Sequence, residues 1–306
     1  ARDATRGDFD AWAREWALEP ATQSQYLDKL GRKRLDWLRS RSDPDSWHAD
    51  SSAHPVDEER AVSQAETAAA LGAREIEARV AALGAHAVLA GAGLANLSAW
   101  VGVSRARAAG SSVCLTAELG MWGYTPTPAD PYIFNHRVFP RTPMLTDCTR
   151  ILGMVVGGPG TTTIGCLGAA QLDRLGNINS TRIPDGPFLV GSGGGNDVAS
   201  RAEECVVVTS AARHRLLEAV GYVTSPGASV QTAVTDKGVL RKREGELCLS
   251  AVPEGPSSLE ARVRDARDSC GWDLRVDRDV EELPGVTLDE AVALRRYDPE
   301  GLFLGS

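Results

Sequence analysis

Between His86 and Ala211 the chain repeats one pattern: a short apolar run of strand length that closes on glycine or another small residue and is mostly followed by a helix-compatible segment. The runs are HAVLAGAG, SVCLTAELG, ILGMVVGG, TTIGCLGAA, PFLVGSGGG and ECVVVTSA. This order favours an α/β fold built on an open, mostly parallel sheet with helices on both faces. Ligands of such sheets bind at the carboxyl ends of strands, where Glu118, Gly168 and Ser192 are expected to fall. VTDKGVL followed by GELCLSAV predicts a strand pair joined at the Asp236–Gly238 turn, and amphipathic helices are expected after Ser257 and Thr287.

The segment upstream reads differently. From Asp8 to Arg41, Trp12, Trp16, Tyr26, Leu27, Leu30, Trp37 and Leu38 recur at helical spacing around a turn at Pro20, predicting a helical hairpin or two short helices. Arg32, Lys33 and Arg34 lie among acidic residues there and read as a solvated helix face. Residues 42–56 are rich in Ser, Asp and Pro without periodicity and read as a linker. A second helix is expected from Asp57 to Leu83, with Leu71, Ile76, Val80 and Leu83 on one side and Glu or Arg on the other. The organisation expected is a helical segment over 1–41, the linker over 42–56 and an α/β domain over 57–306.

The bulk properties exclude several functions. A net charge of −8 argues against a nucleic-acid partner, which needs a basic face that releases counterions. Six cysteines without a C-x-x-C pair fit a reduced, cytoplasmic protein. No apolar run of about 18 residues and no signal pattern appears, so no membrane role is expected. The first residue is Ala, which points to a processed or truncated chain. His48, His54, His86, His136 and His214 lack metal-ligand spacing, and no metal is expected. The glycines form neither a phosphate-binding G-x-x-x-x-G-K-[ST] loop nor a G-x-S-x-G elbow, which disfavours nucleotide hydrolysis, NAD use and serine-hydrolase chemistry.

What remains is a set of motifs in order: AELGMWG (117–123), QLDRLGNINST (171–181), FLVGSGGGNDVAS (188–200), YVTSPG (222–227) and VTDKGVL (234–240). Glu118 directly follows an apolar strand, with Gly120 two positions on to allow close approach. On spacing alone such a glutamate reads as a helix cap or surface charge. The glycine turn at 191–195 opens a helix, so its backbone N–H groups suit an oxyanion or phosphate, or merely make a tight connection. Asn179 and Ser180 are open between recognising substrate and bonding turn backbone, whereas Asp173 reads as structural.

Taken together, the set resembles the β subunit of class I coenzyme A transferases, most closely the glutaconate type, over roughly Ala82–Leu304. The resemblance implies a CoA-transferase-like fold with an N-terminal helical extension, a CoA thioester as substrate and no permanently bound cofactor. It implies Glu118 as nucleophile, attacking an acyl-CoA to give an acyl-glutamyl anhydride and then a glutamyl-CoA thioester. Oxyanion or CoA contacts are expected from Gly120, Gly168, Ala169, Ser192, Gly193, Gly194, Gly195 and Asn196, and substrate contacts from Asn179, Ser180 and Trp122. Alternatives on the same fold are a CoA-thioester hydrolase or lyase and a non-catalytic partner subunit.

Two departures from the family matter. Leu119, Met121 and Trp122 follow the glutamate where relatives carry a small polar residue, implying a bulkier, more apolar acyl pocket. The segment Phe9–Gly31 resembles the C-terminal tail of the family's α subunit, so α and β are expected to be fused in the native gene, with this chain the β half carrying the last α helices; the alternative is an α subunit encoded as a separate chain. In either case an α partner, an α2β2-type assembly, and an acyl-CoA with an organic acid as ligands are expected.

Overall fold

The apolar runs form the middle of a large sheet in a computed structural model of the chain, which describes residues 6–41, 55–133 and 136–305. The chain divides into two compact units, one within residues 1–46 and one within 47–306. Most of the expected linker, residues 42–54, lies outside the described residues, as do His48 and His54.

The small unit is helical, as its spacing predicts. Helix α1 (Arg6–Ala13) runs into a π-helical turn over Arg14–Leu18, and α2 (Gln23–Arg41) kinks at Gly31, where φ is +72°. Lys29 and Arg34 sit over the Trp16 ring at 5.2 and 5.0 Å. Phe9, Trp12 and Trp37 stay exposed.

In the large unit the strands are β1 (Ala87–Ala90), β2 (Cys114–Ala117), β3 (Met121–Trp122), β4 (Met144–Leu145), β5 (Thr163–Gly168), β6 (Gln171–Asp173) and β7 (Ile178–Asn179). They continue as β8 (Glu204–Val208), β9 (Leu216–Leu217), β10 (Val230–Thr235), β11 (Gly238–Arg243), β12 (Glu246–Pro253) and β13 (Val276–Leu283). Among the described residues the main sheet has the order β13-β12-β11-β10-β8-β5-β1-β2-β3-β4, and β7-β6-β9 form a small second sheet. From β10 to β2 every pairing is parallel, while β10–β11, β11–β12, β2–β3 and β3–β4 are antiparallel.

Both faces of the parallel strands are buried, which explains runs that are apolar throughout. Val206 and Val208 pack into one core with α3 (Gln64–Leu83), α4 (Leu94–Ala108) and α7 (Leu288–Tyr297). Cys205 and Val207 pack into the other with α5 (Gly195–Arg201) and α6 (Leu259–Asp268). Ser258 and Thr287 cap α6 and α7 where the sequence predicts helix starts. Helices α3 and α4 approach closely because Gly72 faces Ser98 and Gly102 faces the Ala73 carbonyl, where a Cβ would come within 2.7 Å in each case.

Three expectations need correction. The helix expected from Asp57 begins at Gln64, after a capping box between Ser63 and Glu66. Glu66 in its first turn is fully buried, accepting from Arg295 Nε at 2.6 Å, Arg60 Nη2 at 2.8 Å and the Ser63 N–H at 2.8 Å. Burial pushes the Glu66 pKa up, the donors pull it down, and the donors win.

ILGMVVGG is helical rather than a strand. Asp147 accepts from the Arg150 N–H at 2.9 Å, and a π-helical turn over Ile151–Val156 buries Ile151 and Val156 while Met154 stays exposed. The Gly157 N–H closes it on the Leu152 carbonyl at 3.0 Å, and a Cβ on Gly158 would sit 2.1 Å from the Met154 oxygen. PFLV is extended but joins neither sheet. It has one bridge, Arg182–Phe188, and leaves Phe188, Leu189 and Val190 exposed, so Ser192 does not sit at the end of a sheet strand.

Candidate active site

Strand β2 delivers Glu118 into a tight turn. Ala117 pairs with Met121 of β3, so Glu118, Leu119 and Gly120 must reverse the chain in three residues. Gly120 adopts φ +112°, and a Cβ there would lie 2.1 Å from the Thr146 oxygen, so only glycine fits. The Thr146 N–H donates to the Gly120 carbonyl at 2.7 Å, and Thr116 Oγ1 donates to the Met121 carbonyl at 2.7 Å. The turn is thereby locked and leaves the Glu118 side chain half-buried.

The glycine turn comes over that carboxylate. The Gly194 N–H donates to Glu118 Oε2 across 76 residues of sequence. A Cβ on Gly194 would lie 2.0 Å from Oε2, and one on Gly193, itself at φ +52°, would lie 3.4 Å from Oε1. No side chain is tolerated at 194 without displacing the carboxylate, and the positive φ at 193 favours glycine there, so Gly193 and Gly194 are the glycines this approach requires.

Both features open on a crevice of about 730 Å³. Its floor is the carboxyl ends of β1, β2 and β5, with Leu89–Ala92, Ala117, Glu118 and Leu167–Ala170. Its walls are Leu189–Gly195 on one side and Ile178, Ser180, Arg215, Thr224 and Ser225 on the other. Of the residues expected at a site, Glu118, Gly168, Ala169, Ser180, Ser192, Gly193, Gly194 and Gly195 therefore meet here.

The others do not line the crevice. Gly120 is spent on its own turn, and Asn196 is exposed on α5. Trp122 is a paired strand residue, opposite Thr116 and Met144. Asn179 is fully buried: its Nδ2 donates to Gln171 Oε1 at 2.8 Å and the Arg182 carbonyl at 2.7 Å, while its Oδ1 accepts the Thr181 and Arg182 N–H groups. Its polar capacity is used up internally, which makes it a turn clamp.

Sequence reasoning missed Arg215. Among the described lining residues only Glu118 and Arg215 are charged. In the sequence Arg215 sits in an unremarkable RHR cluster, and no local signal marks it. Cys166 and Cys205 are fully buried and do not line the crevice; burial pushes both thiols up, Cys205 to about 11, and Cys166 donates to the Ala95 carbonyl at 3.1 Å. They stay protonated at neutral pH and do not compete as nucleophiles. Among the described residues no group of three His, Cys, Asp or Glu side chains could hold a metal ion, and no helix is long and apolar enough to cross a membrane.

No protein-family model matches the chain. Curated relatives do. It is 30% identical over 162 residues to the B subunit of glutaconate CoA-transferase from Acidaminococcus fermentans, and 27% identical over 158 residues to the B subunit of 3-oxoadipate CoA-transferase from Pseudomonas knackmussii. These matches cover 46% and 45% of this chain, and span 59% and 60% of the relatives' own lengths. The crystal structure of the Acidaminococcus fermentans glutaconate coenzyme A-transferase superposes with a TM-score of 0.63 at 24% identity, covering 78% of this chain and 97% of the other.

Proposed function

We propose that this chain, similar over 158 and 162 residues to two CoA-transferase B subunits, is the B-type component of a class I CoA transferase. It would move CoA between an acyl-CoA and an organic acid, with CoA thioesters as substrates rather than a resident cofactor. The carrying observation is the Glu118 carboxylate, set at the end of β2 beside the crevice and held by the Gly194 N–H.

In the proposed reaction a Glu118 oxygen attacks the thioester carbonyl, the C–S bond breaks, and an acyl-glutamyl anhydride and CoA thiolate result. The thiolate attacks the glutamyl carbonyl, releasing the first acid as its carboxylate and leaving a glutamyl-CoA thioester. The second acid's carboxylate attacks that thioester, re-forming an anhydride and thiolate. The thiolate then takes the new acyl group, and Glu118 returns as a carboxylate. Each step develops an oxyanion, and the N–H groups of the 193–195 turn and of Gly168–Ala169 are the candidate donors. One well-aimed donor is worth roughly 3 kcal/mol in such sites.

A partner subunit of α type, in an α2β2-type assembly, is part of this reading. It is supported by the names of both relatives, each one subunit of a larger enzyme, and by the apolar rim at the crevice mouth, where Leu189 and Val190 line the opening and Phe188 stands 68% exposed beside them. The exposed aromatics of the small helical unit suit the proposal that it belongs to an α half. Six unpaired cysteines suit a reducing, cytoplasmic setting.

Intact-protein mass spectrometry after brief exposure of the assembled protein to a panel of acyl-CoAs tests the mechanism. A CoA-sized adduct mapping to Glu118 is expected. Turnover without any adduct after rapid quenching would overturn the covalent route in favour of hydrolysis or lyase chemistry, and no turnover with any donor would leave a scaffold.

A further inference from the structure

The crevice is bipolar. Glu118 stands on the side of β2, while Arg215 immediately precedes β9, whose Leu216 pairs with Leu172 of the small sheet. The backbone of Arg215 is fixed: its N–H donates to the Ala212 carbonyl at 2.8 Å, and its carbonyl accepts from the Leu172 N–H at 2.7 Å. Its half-buried guanidinium has no hydrogen-bond or ion-pair partner among the described residues, Glu118 included. Other arginines without a side-chain partner among the described residues, such as Arg201, Arg264 and Arg278, are exposed, whereas the half-buried Arg74, Arg79, Arg105 and Arg241 and the buried Arg295 all reach carboxylates within 2.7 Å. On the same wall the hydroxyls of Ser180 and Ser225 make no hydrogen bond to a described residue either.

We propose that Arg215, with Ser180 and Ser225, binds an anionic oxygen group of the ligand whose other end reacts at Glu118. A guanidinium offers two parallel donors to a planar oxyanion, and its charge-assisted bonds strengthen beside apolar walls such as Ile178, Leu189 and Val190. The anion is either a second carboxylate, distal to the reacting one, or a phosphate of the CoA moiety. The inference relies on the transferase reading only for what happens at Glu118; the anion site stands on the unpaired cation and its two hydroxyls.

Titration calorimetry of the full chain decides it, with glutarate as dicarboxylate, butyrate as monocarboxylate and adenosine 3′,5′-bisphosphate as the phosphate portion of CoA. Arg215→Gln is expected to weaken one anion about 10- to 100-fold, Arg215→Lys to recover part of the loss, and butyrate affinity to stay within about twofold. A loss confined to glutarate assigns the distal carboxylate; a loss confined to the bisphosphate assigns CoA. Equal affinities in wild type and Arg215→Gln for every ligand, or no binding by the wild type, would overturn the proposal, with thermal melts confirming that each variant is folded. Because binding is read without turnover, absence of the Glu118 adduct would count against the transferase mechanism and leave the anion site standing.

Discussion

Glu66 and Glu118 are both glutamates held by backbone N–H groups, yet their surroundings are opposite. Glu66 is fully buried and its two oxygens are shared among Arg295, Arg60 and the Ser63 N–H. Glu118 is half-buried, has the Gly194 N–H as its hydrogen-bond donor among the described residues, and faces open space. A saturated carboxylate between α3 and α7 ties elements that are 229 residues apart, whereas an under-partnered one keeps lone pairs for a ligand. The same contrast separates Asp173 from Arg215. Asp173 accepts the N–H groups of Leu175 and Asn177 at 3.0 and 2.9 Å and is 3% exposed, while the Arg215 guanidinium has no acceptor among the described residues.

If the distinction is sound, substitutions at the two kinds of site should separate activity from stability. Glu118→Ala should lower transfer by about 10⁴-fold while the melting temperature moves by no more than about 2 °C. A variant that keeps transfer would remove Glu118 from the chemistry. Arg295→Ala should do the reverse, costing about 3–5 kcal/mol in denaturant unfolding because Glu66 keeps its charge with one partner fewer. A loss under about 1 kcal/mol would mean that Arg60 and Ser63 suffice.

Gly194→Ala sits at the boundary. Its Cβ must displace the carboxylate from 2.0 Å, so a roughly 10²-fold rate loss is expected with little change in melting temperature. A rate equal to wild type would show that the turn need not touch Glu118. Asp173→Ala should cost about 2 kcal/mol of stability by orphaning two turn N–H groups, with the rate per folded molecule unchanged; lost rate with an unchanged melt would make that turn part of the site.

The smallest effect is in pH. The Glu66 pKa lies below its ordinary value of 4.5, so its ionised form stabilises the fold above that pH, and the contribution disappears as pH falls through the lower folded-state value. The stability difference between wild type and Glu66→Gln should therefore shrink steadily below about pH 4.5 and stay flat from there to neutrality. A difference constant through the acid range would contradict the depressed pKa.

The sequence alone determined the pieces whose causes are local. Runs apolar on both faces became parallel strands, Asp236–Gly238 became the β10–β11 hairpin, and Ser258 and Thr287 became caps. Glu118 at the end of β2 and the steric need for Gly120 were also legible, because a strand end and a turn are set by neighbours in the chain. Only the tertiary structure decided the rest. ILGMVVGG had strand composition, but Asp147 and the Gly157–Gly158 turn close it into a helical turn. Asn179 in the sequence is open between recognising substrate and bonding turn backbone, and its polar atoms are taken up by Gln171 of β6 and the 181–182 turn. Arg215 carries no local signal in the sequence and lines the crevice. A side chain's role depends on which donors and acceptors are left unpaired around it: the Gly194 N–H reaches Glu118 from 76 residues away, and even the partners of Asn179, 2 to 8 residues off, are set by a folded turn rather than by periodicity.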